Sequence, residues 1–187
     1  MLKERLEERL ASTDGPVSLF PIEKDYAERH GLISSQHIAE REWSFQTVER
    51  CLKETEEMIQ AESENFLDKP ISILHNPIEE FLYIDSDDFK TVKVDGMALE
   101  VDDVFKVYTA LFGLQLQKKW QEKIQTYIES KLSEGPSSVL FDTDGTFSVN
   151  ISLNGLDGFD EKLAIREVVS LIYNFLFGLL ETIEAGN

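Results

Sequence analysis

The residues of this chain best suited by type to do chemistry are its carboxylates, which number 36 against 18 lysines and arginines. Two acidic groups stand out by spacing, Asp85-Ser86-Asp87-Asp88 and Asp142-Thr143-Asp144-Gly145-Thr146. Carboxylates clustered in a turn are the ordinary ligands of hard divalent cations. Asp85, Asp87 and Asp88 are therefore candidate cation ligands, in a stretch (79–103) that holds nine acids against two lysines. The same residue types also favour turns through their backbone preferences, and exposed turn acids are the simpler expectation. The second group does not make a calcium loop of the EF-hand type. Its glycine, Gly145, comes two residues early, and Leu153 stands where the bidentate glutamate belongs. The histidines are His30, His37 and His75. His37 and Glu40 fit one helix face, but a single pair does not make a metal centre. Cys51 is the sole cysteine, so neither an intramolecular disulfide nor a cysteine metal cluster can form. It lies beside an apolar stripe and reads as a buried thiol. No serine or cysteine has a recognisable base partner, and the phosphate-loop, dinucleotide, zinc-protease and CxxC motifs are absent. The residues call for no cofactor.

Ser138-Val139-Leu140-Phe141-Asp142-Thr143-Asp144-Gly145-Thr146 resembles the first motif of the haloacid dehalogenase superfamily of phosphatases. The resemblance implies a magnesium-dependent hydrolase in which Asp142 attacks phosphate and Asp144 protonates the leaving group. That family sets the motif on its first parallel strand and needs a later Ser/Thr, a lysine and another acidic cluster. Only 43 residues follow Asp144, with one lysine, Lys162. Phe147–Leu153 alternates apolar and polar side chains at once, as a returning strand does. The expected structure is a hairpin turn in which Asp and Gly supply backbone angles. A second resemblance covers most of the chain. Leu99–Tyr108, Gly113–Trp120 and Leu171–Phe177 are similar to a small uncharacterised family of acidic proteins from Bacillus-type bacteria, some of whose members carry the label branched-chain aminotransferase. No phosphate-binding loop and no lysine placed for a Schiff base support that label here.

Periodicity supplies the elements that would position these groups. Leu2, Leu6 and Leu10 make a short amphipathic helix, broken by Asp14-Gly15-Pro16, and Glu23–His30 makes a second, with Gly31 as a left-handed cap. Phe45, Val48, Leu52, Thr55 and Ile59 fall three and four apart, which predicts a helix from Ser44 to about Phe66. Beyond Pro70 the period changes. Ile71–Leu74 is a candidate short strand, and Phe81–Asp85 with Thr91–Val94 a hairpin. A long helix from about Asp102 to Leu132 follows, then a hairpin of 139–141 with 147–153, then a helix from about Asp160 to Glu184. Both later units read strand, acidic turn, strand, helix, and both contain Leu-Phe-Gly-Leu, at 111–114 and 176–179. An internal duplication is thus conceivable, although the register between the copies is not kept. The expectation is a single α+β domain. N-terminal helices (1–69) precede a mainly antiparallel sheet of four to five strands covered by two long helices. Gly113 and Gly178 would mark close helix approaches.

The net charge of −18 is spread evenly, with −7, −5 and −6 in residues 1–70, 71–136 and 137–187. With 42% hydrophobic residues this is a folding chain and not a disordered acidic one. Such a surface disfavours nucleic acid and anionic membranes. The charged opening, MLKERLEERL, does not read as a signal peptide, and the apolar run Val168–Leu180 is short for a membrane span, so a cytoplasmic location is expected. Three functions remain: a non-enzymatic interaction or regulatory module for a partner with a basic surface, a phosphatase using Asp142 and Asp144, or a small-ligand binder.

Overall fold

The computed structural model describes residues 1–11, 17–33 and 38–186. Its elements in chain order are α1 (Leu2–Ala11), β1 (Ser18–Leu19), α2 (Pro21–Arg29), β2 (Ala39–Glu40), β3 (Thr47–Leu52), β4 (Met58–Ala61), β5 (Glu80–Asp85), β6 (Val94–Val101), β7 (Tyr108–Leu114), α3 (Gln121–Lys131), β8 (Ser137–Phe141), β9 (Phe147–Ser152) and α4 (Ile165–Ala185). β3 to β9 form one seven-stranded sheet in the order β4-β3-β5-β6-β7-β9-β8, antiparallel throughout, and β1 and β2 form a separate parallel pair. The fold is α+β, but the sheet is wider than the sequence pattern predicts, and α4 alone is a long helix.

Strand alternation explains the packing. Register places Val48, Ile84, Met97, Phe112, Val149 and Val139 in one row across the sheet. Leu82, Leu99, Ala110 and Ile151 form the next row on the same side. Both rows point into one core that they share with Leu2 and Leu6 of α1 and with the apolar face of α4. Burying each Leu, Ile or Phe side chain contributes about 1.5–3 kcal/mol. Eleven residues of α4 are buried, from Ile165 to Ile183. α4 is 21 residues long and apolar enough to cross a membrane by length and composition, and 56% of its most apolar stretch is buried inside the protein. Its start is held by Glu167, whose carboxylate accepts the Ala164 N–H at 2.8 Å.

The N-terminal helices are tied on through two carboxylates: Glu184 of α4 accepts from the Leu2 N–H at 2.6 Å and the Tyr26 hydroxyl at 2.9 Å, and the second is buried. Glu23, fully buried, accepts from Arg9 at 2.7 Å, from the Tyr173 hydroxyl at 2.6 Å and from the Phe20 N–H at 3.0 Å. The charge therefore has a counter-ion and hydrogen bonds from three segments, the condition under which a buried carboxylate is tolerated.

Several expected elements differ. The helix over Ser44–Phe66 is the β3–β4 hairpin, turned at Glu56 with φ +58. Ile71–His75 is a 3-10 turn, and so is Asp87–Val92, so the partner of β5 begins only at Val94. The long helix from Asp102 is absent over its first half. Asp102 accepts the N–H groups of Val104 and Phe105 in a tight turn, and β7 follows. Val104 and Phe105 are 79% and 62% exposed at its tip. A run apolar on every side fits a strand in a sheet interior as well as a buried helix, and tertiary pairing decides between them. Leu-Phe-Gly-Leu is strand at 111–114 and helix at 176–179, so that match gives no support to a duplication. Asp14-Gly15-Pro16 lies outside the described residues; Gly31 has the expected left-handed backbone, φ +65.

The two glycines separate in the same way. A methyl at Gly178 would lie 2.5 Å from the Tyr127 hydroxyl, at the close contact of α3 with α4, whereas nothing lies within 4 Å of one at Gly113. Gly178→Leu will lower stability by about 1–3 kcal/mol through overpacking. Gly113→Leu will leave it within about 0.5 kcal/mol. Chemical denaturation of both variants checks the contrast. Tyr173→Phe, which removes one donor from the buried Glu23 carboxylate, will cost about 1.5–3 kcal/mol in the same experiment.

Candidate functional site

Asp142 and Asp144 sit in the β8–β9 hairpin. The Asp142 N–H donates to the Thr146 carbonyl at 2.9 Å, the Gly145 N–H donates to the Asp142 carbonyl at 3.2 Å, and Gly145 takes φ +92. The Asp144 carboxylate accepts from the Thr146 N–H at 3.0 Å and from its hydroxyl at 2.8 Å, bonds that hold it below the usual carboxylate range. The Ser148 hydroxyl donates to Asp142. Both carboxylates are thus engaged locally, on antiparallel strands at a sheet edge. The phosphatase resemblance implies instead an initial parallel strand with acids gathered at its carboxyl end.

The other acidic group is dispersed. Asp88 is 2% exposed and pairs inward with Arg41 at 2.6 Å, Asp87 pairs outward with Lys90 at 2.5 Å, and Asp85 ends β5 opposite Gly96. Among the described residues no three His, Cys, Asp or Glu side chains come together as metal ligands. His30 stacks on Tyr26 and His75 lies beside Tyr108. Glu40 is in a strand, not on a helix, and His37 lies outside the described residues. The Cys51 thiol is buried, and burial pushes its pKa up.

What the fold assembles lies on the other face of the sheet. Register sets Glu49, Tyr83, Ala98, Leu111, Asn150 and Ser138 in one row pointing away from the core. Beside it run Gly96, Gly113, Ser148 and Leu140. All of these except Glu49 line a shallow groove of about 450 Å³ across β5 to β8. Gly113, Ser148 and Ser138 are exposed, and Leu140 is 62% exposed. Tyr83 lies over Gly96, where a methyl group would come within 2.4 Å of its hydroxyl. Glycine at 96 allows this close approach, and a side chain there would have to displace the Tyr83 ring.

The electrostatics of this face are one-sided. Burial raises the Tyr83 pKa, and the carboxylates of Asp85, Asp95 and Glu49 raise it further. Glu100, in the neighbouring row opposite Thr109, has its pKa raised by burial, with Lys53 pulling the other way. Asp142 joins the rim through Ser148. The nearby lysines are already committed, Lys53 to Asp103 at 2.9 Å and Lys90 to Asp87. Within the groove the Asn150 Oδ1 is buried and accepts no hydrogen bond from the described residues. Sequence reasoning missed this face because Glu49 and Leu111 were placed on helices. The signal that could have found it was the alternation Met97, Leu99, Val101 against Gly96, Ala98, Glu100.

No protein-family model, curated protein or solved structure matches this chain.

Two outcomes follow from the geometry. Magnesium-supplemented wild type and Asp142→Asn will both fail to hydrolyse a generic phosphomonoester above the blank; turnover in the wild type lost in the variant would restore the phosphatase. Glu100 has a raised folded-state pKa, so the folded protein binds its proton more readily than the unfolded chain, and stability falls as pH rises through that window. Glu100→Gln will therefore raise the denaturation midpoint at pH 7. The difference from wild type will shrink as pH falls to the ordinary glutamate range, where both states are protonated.

Proposed function

We propose that this protein is a non-enzymatic interaction module that takes a protein partner with a basic surface on the open face of its sheet. One observation carries the reading. The face has an apolar floor (Tyr83, Ala98, Leu111, Leu140) that the chain leaves to solvent, and it is rimmed by Glu49, Asp85, Asp95, Glu100 and Asp142. Apolar area supplies affinity, while a rim of one charge sign steers a complementary partner and rejects like-charged ones. The expected absence of nucleic-acid and anionic-lipid partners rests on the same repulsion. A cytoplasmic location remains part of the proposal.

The test is titration of isotope-labelled protein with a 14-residue peptide of lysine and leucine at physiological ionic strength. Amide shifts will concentrate on Tyr83, Ala98, Leu111, Gly113 and Ser148, and affinity will fall steeply with salt. The glutamate–leucine counterpart will leave the spectrum unchanged. Shifts spread over the whole acidic surface, with no preference for this face, would overturn the reading.

A further inference from the structure

We infer that the segment recognised on this face is an amphipathic α-helix lying across the strands, with its cationic residues along one flank. The inference rests on the proposed use of the open face and adds the form of the occupant.

The first argument is backbone satisfaction. Strand addition takes place at sheet edges, where free N–H and C=O groups are available. The groove is on a face, and the backbone groups of β5, β6, β7 and β9 are already used in pairing on both sides. An extended peptide laid there would have its own backbone groups covered without partners. A helix arrives with its backbone bonds made internally.

The second argument is shape. The groove runs from Tyr83 on β5 to Leu140 on β8. That is four strand spacings, ~19 Å at about 4.8 Å each, or ~13 helical residues at 1.5 Å rise. Its floor is low where side chains are missing or short, at Gly113, Ala98 and Ser148. The space above Gly113 is empty to 4 Å.

The third argument is the placement of charge. Asp85 closes β5, Asp95 opens β6, and Asp142 follows β8. The register sets these three at the same end of the sheet: Asp85 faces Gly96, Val94 faces Leu114, and Leu114 and Phe141 both face Phe147. They form a line along one long side of the groove. A helix across the strands would meet Asp85 and Asp95 with cations about one turn apart, at i and i+4, and Asp142 with a third about three turns along, near i+11, on the flank of its apolar stripe. A second copy of this chain does not fit as occupant, because face-to-face contact would set Asp85, Asp95, Glu49, Glu100 and Asp142 of each copy against their own kind.

Three synthetic 14-residue peptides of identical lysine and leucine content test the inference. One carries leucines at helical spacing, one strictly alternates, and one has the helical order with two central residues replaced by proline. Calorimetry measures affinity for wild type and for Gly113→Leu, and circular dichroism measures the helix gained on binding. The helical peptide should bind wild type at least tenfold tighter than the other two, with a gain in helical signal. Gly113→Leu, which fills the floor at a position where the fold has room, should weaken it at least tenfold at an unchanged denaturation midpoint. If the alternating peptide binds as tightly as the helical one and Gly113→Leu weakens both, the helical occupant is wrong and the face remains the binding site. If Gly113→Leu changes neither affinity, the face itself is wrong and both readings fall.

Discussion

A seven-stranded sheet has two faces, and this chain has one long apolar helix with which to cover them. Most of the architecture follows from that constraint. The strands point Val48, Ile84, Met97, Phe112 and Val149 to one side, where α4, α1, α3 and the 3-10 turns complete a core. The opposite side receives residues intermediate in size and polarity: Ala98, Leu111, Asn150, Ser148 and two glycines. An antiparallel sheet tolerates such one-sided solvation because its strands alternate. Ordinary solvated faces carry lysine, threonine or glutamate at these positions. A face floored with glycine, alanine and leucine is short of the side chains that solvation favours, and that departure is what the proposed function rests on.

The covered side has its own constraint. α1 and α2 offer few buried residues, Leu2 and Leu6 from the first and Glu23, Tyr26 and Ala27 from the second. Packing alone would orient them weakly. Glu184 bonds both to α4 through Leu2 and Tyr26, and Glu23 helps fix them because its carboxylate is out of water and must be satisfied in place by Arg9, Tyr173 and Phe20. The Tyr173 hydroxyl is pushed well above the usual phenol range, first by burial and then by this carboxylate, and it stays a donor. Around it Phe20, Trp43 and Tyr173 pack within 5.3 Å of one another, ring centre to ring centre. A buried ion pair of this kind contributes little net stability over apolar packing, but each partner's loss is costly. Its structural consequence is one docking geometry for the N-terminal helices.

What could be read from the sequence divides along the same lines. α1, α2, α4 and the β8–β9 hairpin were legible because their signals are local: Leu2/Leu6/Leu10 at helical spacing, Gly31 with its left-handed backbone, Asp-Gly turn chemistry, and an apolar stripe long enough to be unambiguous. β3 was not legible, because Val48 and Leu52 satisfy a helical period as well as an extended one. The choice is made by β5, which pairs with every residue of β3 from Thr47 to Leu52. β7 failed for a related reason: Tyr108, Thr109 and Ala110 are buried in succession between β6 and β9, and only Leu111 and Gly113 turn to the open face, so the strand carries no clean polar alternation. Leu-Phe-Gly-Leu, strand once and helix once, shows the limit directly. Four residues of one sequence take the conformation that their neighbours in space pair with or pack against. The acidic motif at 142–146 was correctly read as a turn because its use of Asp and Gly is settled within the segment itself.

The charge of the chain acquires a second role once the open face is known. An exposed apolar floor on a folded protein invites association with its own copies, and a sheet face is well shaped for that. Here the surrounding carboxylates act against it. Screening confines charge effects to about 8 Å at physiological ionic strength, so acids scattered elsewhere on the surface would protect this floor poorly. Glu49, Asp85 and Asp95 act on the phenol of Tyr83 within the face, and Glu100 sits half-buried in the row beside it. Charge at that range would oppose a second copy at the moment of contact and attract the proposed cationic partner over the same distance. Half-burial strengthens both effects, because Coulomb interactions grow as water is excluded. If the proposed reading holds, the features that would oppose self-association are the same ones that would select a partner.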